Sequence, residues 1–312
     1  MKRILIFFLA INFLACTSKV KTPESIEKFP IEIIDLTSKQ LDLMISLKGE
    51  QSSKRDSIFI NQLYKPNLEL WNNYIGNDKD FLKWLNTTAY SELKSYQKVS
   101  KEINLKELNA FFQKTLVDMK SLTGFYPKGR WYITFGPKWT DAGGFGNGTM
   151  VLDLAHTENT EHHIKLLFPH ELNHQIYANT APNSDKAVLK KIINEGFACY
   201  VNYLFHNKKI TISEALNYSE NEYIACKDSD AELIEFLDKV KNSKDQNTAN
   251  QLANRGYFVS ESLPGAIAYY IGFRVVEEYV KKNGKDSWKN IYTETPEEVL
   301  QKSNILSSIK PS

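Results

Sequence analysis

His170 and His174 stand four residues apart in the stretch Phe168–Gln175, FPHELNHQ. On a helix that spacing puts both imidazoles on one face about one turn from each other, where two ring nitrogens can grip one zinc ion. Glu171 then lies beside the metal. Two histidines do not complete such a site, because catalytic zinc takes three protein ligands and keeps a fourth position for water, whereas four would close it. The third ligand must be a carboxylate or imidazole on a separate element, and Glu195 in the stretch Asn194–Tyr200, NEGFACY, fits. Twenty residues separate it from His174. That is enough to finish one helix, turn through Asn179-Thr180-Ala181-Pro182-Asn183-Ser184-Asp185 and return along a second helix whose carboxylate meets the two histidines.

The elements that position these residues can be read around them. The first ligand helix starts near Asn159 or Thr160, with Pro169 removing one helical hydrogen bond just before His170. Val188, Leu189, Ile192, Ile193, Phe197 and Val201 give the second an apolar face, and Ala198 permits close approach to the first. Cys199, one turn past Glu195, reads as a small packing residue beneath the site. His162 and His163 read as exposed polar residues, His163 with a supporting or alternative metal role as the other reading. Trp131–Phe135 and Thr149–Leu154 are β-type runs on either side of Gly136-Pro137 and a glycine-rich stretch. Gly143 to Gly148 reads as a hairpin loop or, alternatively, a flap at the cleft. No GK[ST] follows it, which argues against a phosphate loop.

HELNHQIYAN and INEGFA resemble the paired HExxH and NEGFA segments of zinc aminopeptidases, within the zinc metallopeptidases whose third ligand is Glu. A longer stretch, Trp131 to Ser303, is similar to a smaller family of predicted zinc-dependent proteases that includes lipoproteins related to a gliding motility protein. The resemblance implies a zincin-like fold, zinc held by His170, His174 and Glu195, Glu171 as general base, and a peptide or protein substrate. It also implies that a strand just before the HExxH helix forms the edge on which an extended peptide is laid. The apolar helix AIAYYIGFRVVEEYV, introduced by Pro264 and Gly265, is similar to the Tyr-x-x-Gly segment of the smaller family, and makes Tyr269 a candidate to stabilise an oxyanion. A buried aromatic with its hydroxyl tied to backbone is the other reading of Tyr269. Two departures stand out: GGFGNGTM is not the GxMEN segment of the large aminopeptidases, and Cys199 holds the place where thermolysin-like enzymes carry an Asp that orients a metal histidine.

At the start of the chain Lys2 and Arg3, an apolar run from Ile4 and the small Ala15 before Cys16 form a secretion signal over residues 1–15. Phe13-Leu14-Ala15-Cys16 is similar to a bacterial lipobox, with Phe where Leu is usual. Lipid on Cys16 would tether the mature chain through residues 16–30 to a membrane of the bacterial cell envelope without crossing it. Cleavage removes Lys2 and Arg3, bringing the 39 basic residues level with the 37 acidic ones. The lysines are scattered, so a nucleic-acid surface is not expected. Of the other two cysteines, Cys199 and Cys226 could pair in an exported protein, but two make no disulfide framework.

Residues 31–125 read as a helical N-terminal region. The stripe Trp71, Tyr74, Trp84, Tyr90 and Tyr96 is assigned to core, Asp78 caps the segment near Phe81, and Leu105–Leu122 stops at Gly124. Residues 126–312 form the expected zincin-like domain, with helices near Ile212–Ala225 and Ala231–Val240, a loop over Asn242–Asn254 and a capping box at Thr295–Glu298. The whole is an α+β chain, mostly helical, with a small sheet. Its expected function is that of a membrane-tethered zinc peptidase; an envelope component of a gliding or secretion machine, with a structural or vestigial metal site and envelope-protein partners, is the alternative. Replacing Cys16 by Ser should release the protein from the membrane fraction or leave it unprocessed, as fractionation and gel mobility would report.

Overall fold

A computed structural model describes residues 31–145 and 148–308. The expected signal, Cys16 and the tether lie outside those residues. The fold is α+β and mostly helical, with one four-stranded mixed sheet ordered β1 (Ile31–Asp35), β2 (Gly129–Thr134), β4 (Thr149–Asp153), β3 (Ala142–Gly144).

The N-terminal region therefore opens with a strand where a wholly helical stretch was expected. β1 runs parallel to β2 in the register Ile31 to Gly129 through Asp35 to Ile133, so its β-branched residues join a sheet whose other strands lie about a hundred residues on. Gln40, fully buried on the following helix, locks this pairing: its amide donates to the Phe135 carbonyl at 2.7 Å and its oxygen accepts from the Thr134 hydroxyl and the Phe135 N–H. Such contacts between residues far apart in sequence leave no local signal.

β2 and β4 do not form a hairpin. They are parallel neighbours, and β3 pairs antiparallel to β4 as the outer strand, so the expected loop at Gly143–Gly148 begins inside a strand. β4, just before the histidines, is paired on both sides, and the edge belongs to β3. Asp153, at the end of β4, fixes the loops around it: its carboxylate accepts from the N–H groups of Gly136, Lys138 and Ala155 and from the Tyr74 hydroxyl at 2.7 Å. Tyr74 thus ties the aromatic stripe to the sheet. Trp71, Tyr74, Trp84 and Tyr96 are buried as expected, and Tyr90 is half-buried.

Among the other expectations, the helix Asp78–Trp84 is capped by Asn77, whose side chain accepts from the Lys79 and Asp80 N–H groups, in place of Asp78. The helix Leu105–Thr123 ends at Gly124 in a left-handed conformation (φ 86°), where a side chain would be strained. The segment after Ile212 divides into Ile212–Ala215 and Glu220–Asp228. The expected loop after Asn242 contains a helix, Gln246–Leu252: Asp245 caps it, and only Ala249 and Leu252 are buried, too little apolar content to show in the sequence. Thr295 and Glu298 form the expected capping box of the helix Pro296–Ser303.

Three helices carry the residues singled out for chemistry. The histidine helix is Glu161–Thr180, capped by the Thr160 hydroxyl and continuous through Pro169. The glutamate helix is Ala187–Phe205 and the tyrosine helix Ala268–Asn283. The last two make the most extensive helix–helix interface of the fold, and they cross backbone on backbone. A Cβ placed on Gly196 would sit 1.9 Å from the carbonyl carbon of Gly272, and one on Gly272 would sit 1.9 Å from the Ile192 oxygen. The crossing lies at Gly196, between Glu195 and the Ala198 expected to permit close packing.

Because backbone cannot yield as a side chain can, Gly272→Ala should cost about 1–3 kcal/mol or more of stability. Gly49, where an added methyl would meet nothing within 4 Å, serves as the control: Gly49→Ala should stay within about 0.5 kcal/mol in the same urea titration.

Candidate metal centre

The histidine helix is anchored so that its inward face looks across at the glutamate helix. Phe168 packs against Phe112 and Trp131, with ring centroids 4.1 and 4.9 Å away. The Gln175 oxygen accepts from the Trp131 indole at 2.9 Å while its amide donates to the Gly148 carbonyl. Asn173 accepts from the buried Tyr292 hydroxyl. The polar residues within and just after HELNH thus fix the helix to the sheet and to the C-terminal helices, leaving His170, Glu171 and His174 for the cleft.

His170, His174 and Glu195 meet as the sequence suggested. Their ligand atoms form one group: the two Nε2 atoms are 3.0 Å apart, and Glu195 Oε2 lies 3.2 Å from His174 Nε2 and 3.7 Å from His170 Nε2. Tetrahedral zinc with ligand bonds of roughly 2.0–2.2 Å sets its ligand atoms about 3.3–3.6 Å apart, close to these separations. Glu195 Oε2 is buried and makes no well-directed hydrogen bond, while Oε1 accepts from Lys191 Nζ at 2.7 Å. The buried carboxylate oxygen and the two ring nitrogens converge within 3.7 Å of one another, a spacing that would suit the ligand atoms of one cation. The donor set of two imidazoles and one carboxylate is that of a hydrolytic zinc site.

The electrostatics point the same way. Burial would lower His174, yet Glu195 beside it outweighs that and holds the imidazole up at about 9. Burial pushes Glu195 up, but His174 and Lys191 outweigh it and keep its carboxylate well below the usual range. Glu195 and His174 thus each favour the charged form of the other. Glu171 is pushed up by burial, with the two histidines pulling partly back.

Three supporting residues stand around the group, of which Asn194 and Lys191 were not singled out from the sequence. Asn194 Oδ1 lies 3.0 Å from His174 Nδ1, so an N–H there leaves the Nε2 lone pair facing Glu195. Cys199 is buried with Sγ 3.8 Å from His170 Nδ1, a closer part in the site than packing alone. Cys199 and Cys226 are both free thiols. Lys191 follows from the i, i+4 spacing to Glu195, which could have revealed it.

Tyr269 stacks parallel to His170, centroids 5.7 Å apart and planes 5° from parallel. Its hydroxyl makes no hydrogen bond among the described residues, so the backbone tie of the alternative reading is not found. A cavity of about 480 Å3 opens on the His170 side and one of about 390 Å3 on the His174 side, where the β3 edge forms a wall. Ala142, Glu171, Lys191 and Tyr269 line both. His163 is outside the metal group, paired with Asp141, and His162 is exposed.

Residues 161–305 match the family model of the gliding motility protein GldB. The match begins with the histidine helix and takes in His170, Glu171, His174, Glu195 and Tyr269, while the sheet lies outside it. It supports kinship with gliding-motility lipoproteins for that part of the chain. Comparison with curated proteins gave no match, and neither did comparison with solved structures.

Purified protein should carry about one zinc per chain, and Glu195→Gln should lower occupancy much as His174→Ala does. Asn194→Ala should weaken zinc binding by about 10–100-fold with the fold intact, measured by competition with a chromogenic chelator.

Proposed function

We propose that this chain is an envelope lipoprotein of a gliding-type surface apparatus whose C-terminal part is organised around a zinc centre. The match of residues 161–305 to the gliding motility family carries this reading, and the lipobox-like Phe13–Cys16 is consistent with it. Among the described residues no helix is long and apolar enough to cross a membrane. Attachment would come from lipid on Cys16. Its partners would then be other envelope proteins.

A second reading, a zincin-like peptidase, is favoured by one observation: Glu171. A structural site needs only its ligands, yet this buried carboxylate has no protein partner among the described residues and lines both cavities. Zinc in the group would supply Lewis acidity and a water nucleophile. Glu171 would take that water's proton and pass it to the leaving amine, a step typically contributing on the order of 100-fold to 10,000-fold. Tyr269, whose ring stacks on His170 and whose hydroxyl makes no hydrogen bond among the described residues, would be the donor to a developing oxyanion. The open β3 edge offers backbone groups to an extended peptide, and cavities on both sides suit a chain that runs through the cleft.

The two readings diverge at Glu171→Gln, which preserves size but removes the base. This variant should fold, melt and bind zinc like the parent. As a peptidase it should lose most hydrolysis and fail to rescue a deletion strain; rescue equal to the parent's would leave the scaffold reading alone standing, even with zinc bound.

A further inference from the structure

The far end of the larger cavity holds a second group of ligand-bearing side chains. Asp141 precedes β3, Glu158 lies in the turn after β4, and His163 occupies the first turn of the histidine helix. One ligand atom from each falls within 4.8 Å of the others, with His163 Nε2 3.0 Å from Asp141 Oδ2. His163 and His170 are seven residues apart, two turns along one face, which is why both line the same cavity.

This group is built by the fold. Asn159, buried, donates from one side-chain amide to the carbonyls of Asp141 and Asp153, at 2.8 and 2.7 Å, so it ties the start of β3 to the end of β4 and to the turn carrying Glu158. Thr160 caps the histidine helix through the His163 N–H and so sets where that side chain begins. Asp141 Oδ1 is occupied by the Ala142 N–H at 2.7 Å, leaving Oδ2 for the imidazole. The Glu158 carboxylate has no partner among the described residues, and His156, whose Nδ1 accepts from the Glu158 N–H, also faces the cavity. An ordinary ion pair would account for Asp141 and His163. That pair does not involve Glu158, whose carboxylate supplies a third ligand atom within 4.8 Å of the other two.

We propose that Asp141, Glu158 and His163 bind a second divalent cation, weaker than the first and independent of it. One imidazole and two carboxylates suit zinc or manganese, with water filling the open positions of this partly exposed site. The bound ion joins β3, the cleft's edge strand, to the first turn of the histidine helix, and so stiffens one wall of the cavity.

The test uses the full chain in detergent, stripped of metal and titrated with zinc sulfate by calorimetry. The parent should bind two zinc ions per chain, one tightly and one weakly. His174→Ala should lose the tight event and keep the weak one, and its melting temperature should still rise with added zinc. In that background His163→Gln should abolish the weak event. Glu158→Gln, at an exposed position where folding is not at risk, should weaken it at least about 10-fold. Weak binding unchanged by both substitutions, or a His174→Ala protein that takes up no zinc, would overturn the proposal. Loss of the tight event from the parent alone would instead count against the first centre.

Discussion

The arrangement depends on one contact between two backbones. At Gly196 and Gly272 the glutamate and tyrosine helices touch without side chains between them, and this sets how far Glu195 and Tyr269 reach into the cleft. Glu195 is the neighbour of one glycine, and Tyr269 stands one turn before the other. Any side chain at the crossing would push the helices apart and carry the carboxylate away from His170 and His174. A ligand set spaced a few ångströms apart cannot absorb such a shift. The glycines of NEGFA and of Tyr-x-x-Gly are thus paired parts of a single device, each required by the other.

The second constraint is electrostatic. Glu195, Glu171, His170 and His174 are gathered where water is scarce, and burying two carboxylates together is costly unless positive charge accompanies them. Lys191 supplies part of it through Glu195 Oε1. The remaining demand falls at the point where Oε2 and the two ring nitrogens converge, and a proton on His174 or a cation there would meet it.

That His170, His174 and Glu195 would meet was legible in the sequence because the signal is local: two histidines four apart on a helix, and a carboxylate one helical return away. Tyr269 was found through the glycine one turn after it. What could not be read depends on contacts between distant residues. β1 joins β2 across the length of the helical region, and Gln40 reads the end of that strand only after the chain has folded. Parallel pairing of β2 with β4 looks, in sequence, like a hairpin. Asn194 and Cys199 stand in or beside the stretches singled out in the sequence, yet which nitrogen each faces is decided by how the helices cross. The helix Gln246–Leu252 buries too few apolar residues to show a period.

The residues behind the two histidines differ in kind from the carboxylate often found there. His174 is backed by the amide of Asn194 and His170 by the thiol of Cys199, both neutral, and burial pushes that thiol far above its usual range so that it stays so. A carboxylate in either place would draw the ring proton toward itself and make the imidazole a richer electron donor. Here neither ring receives that help, and the one anionic ligand shares its charge with Lys191. An ion seated among them would keep more of its own charge than in a carboxylate-backed site. With such neutral backing, an ion held there would be electron-poor, and its pull on any oxygen brought to it would be correspondingly strong.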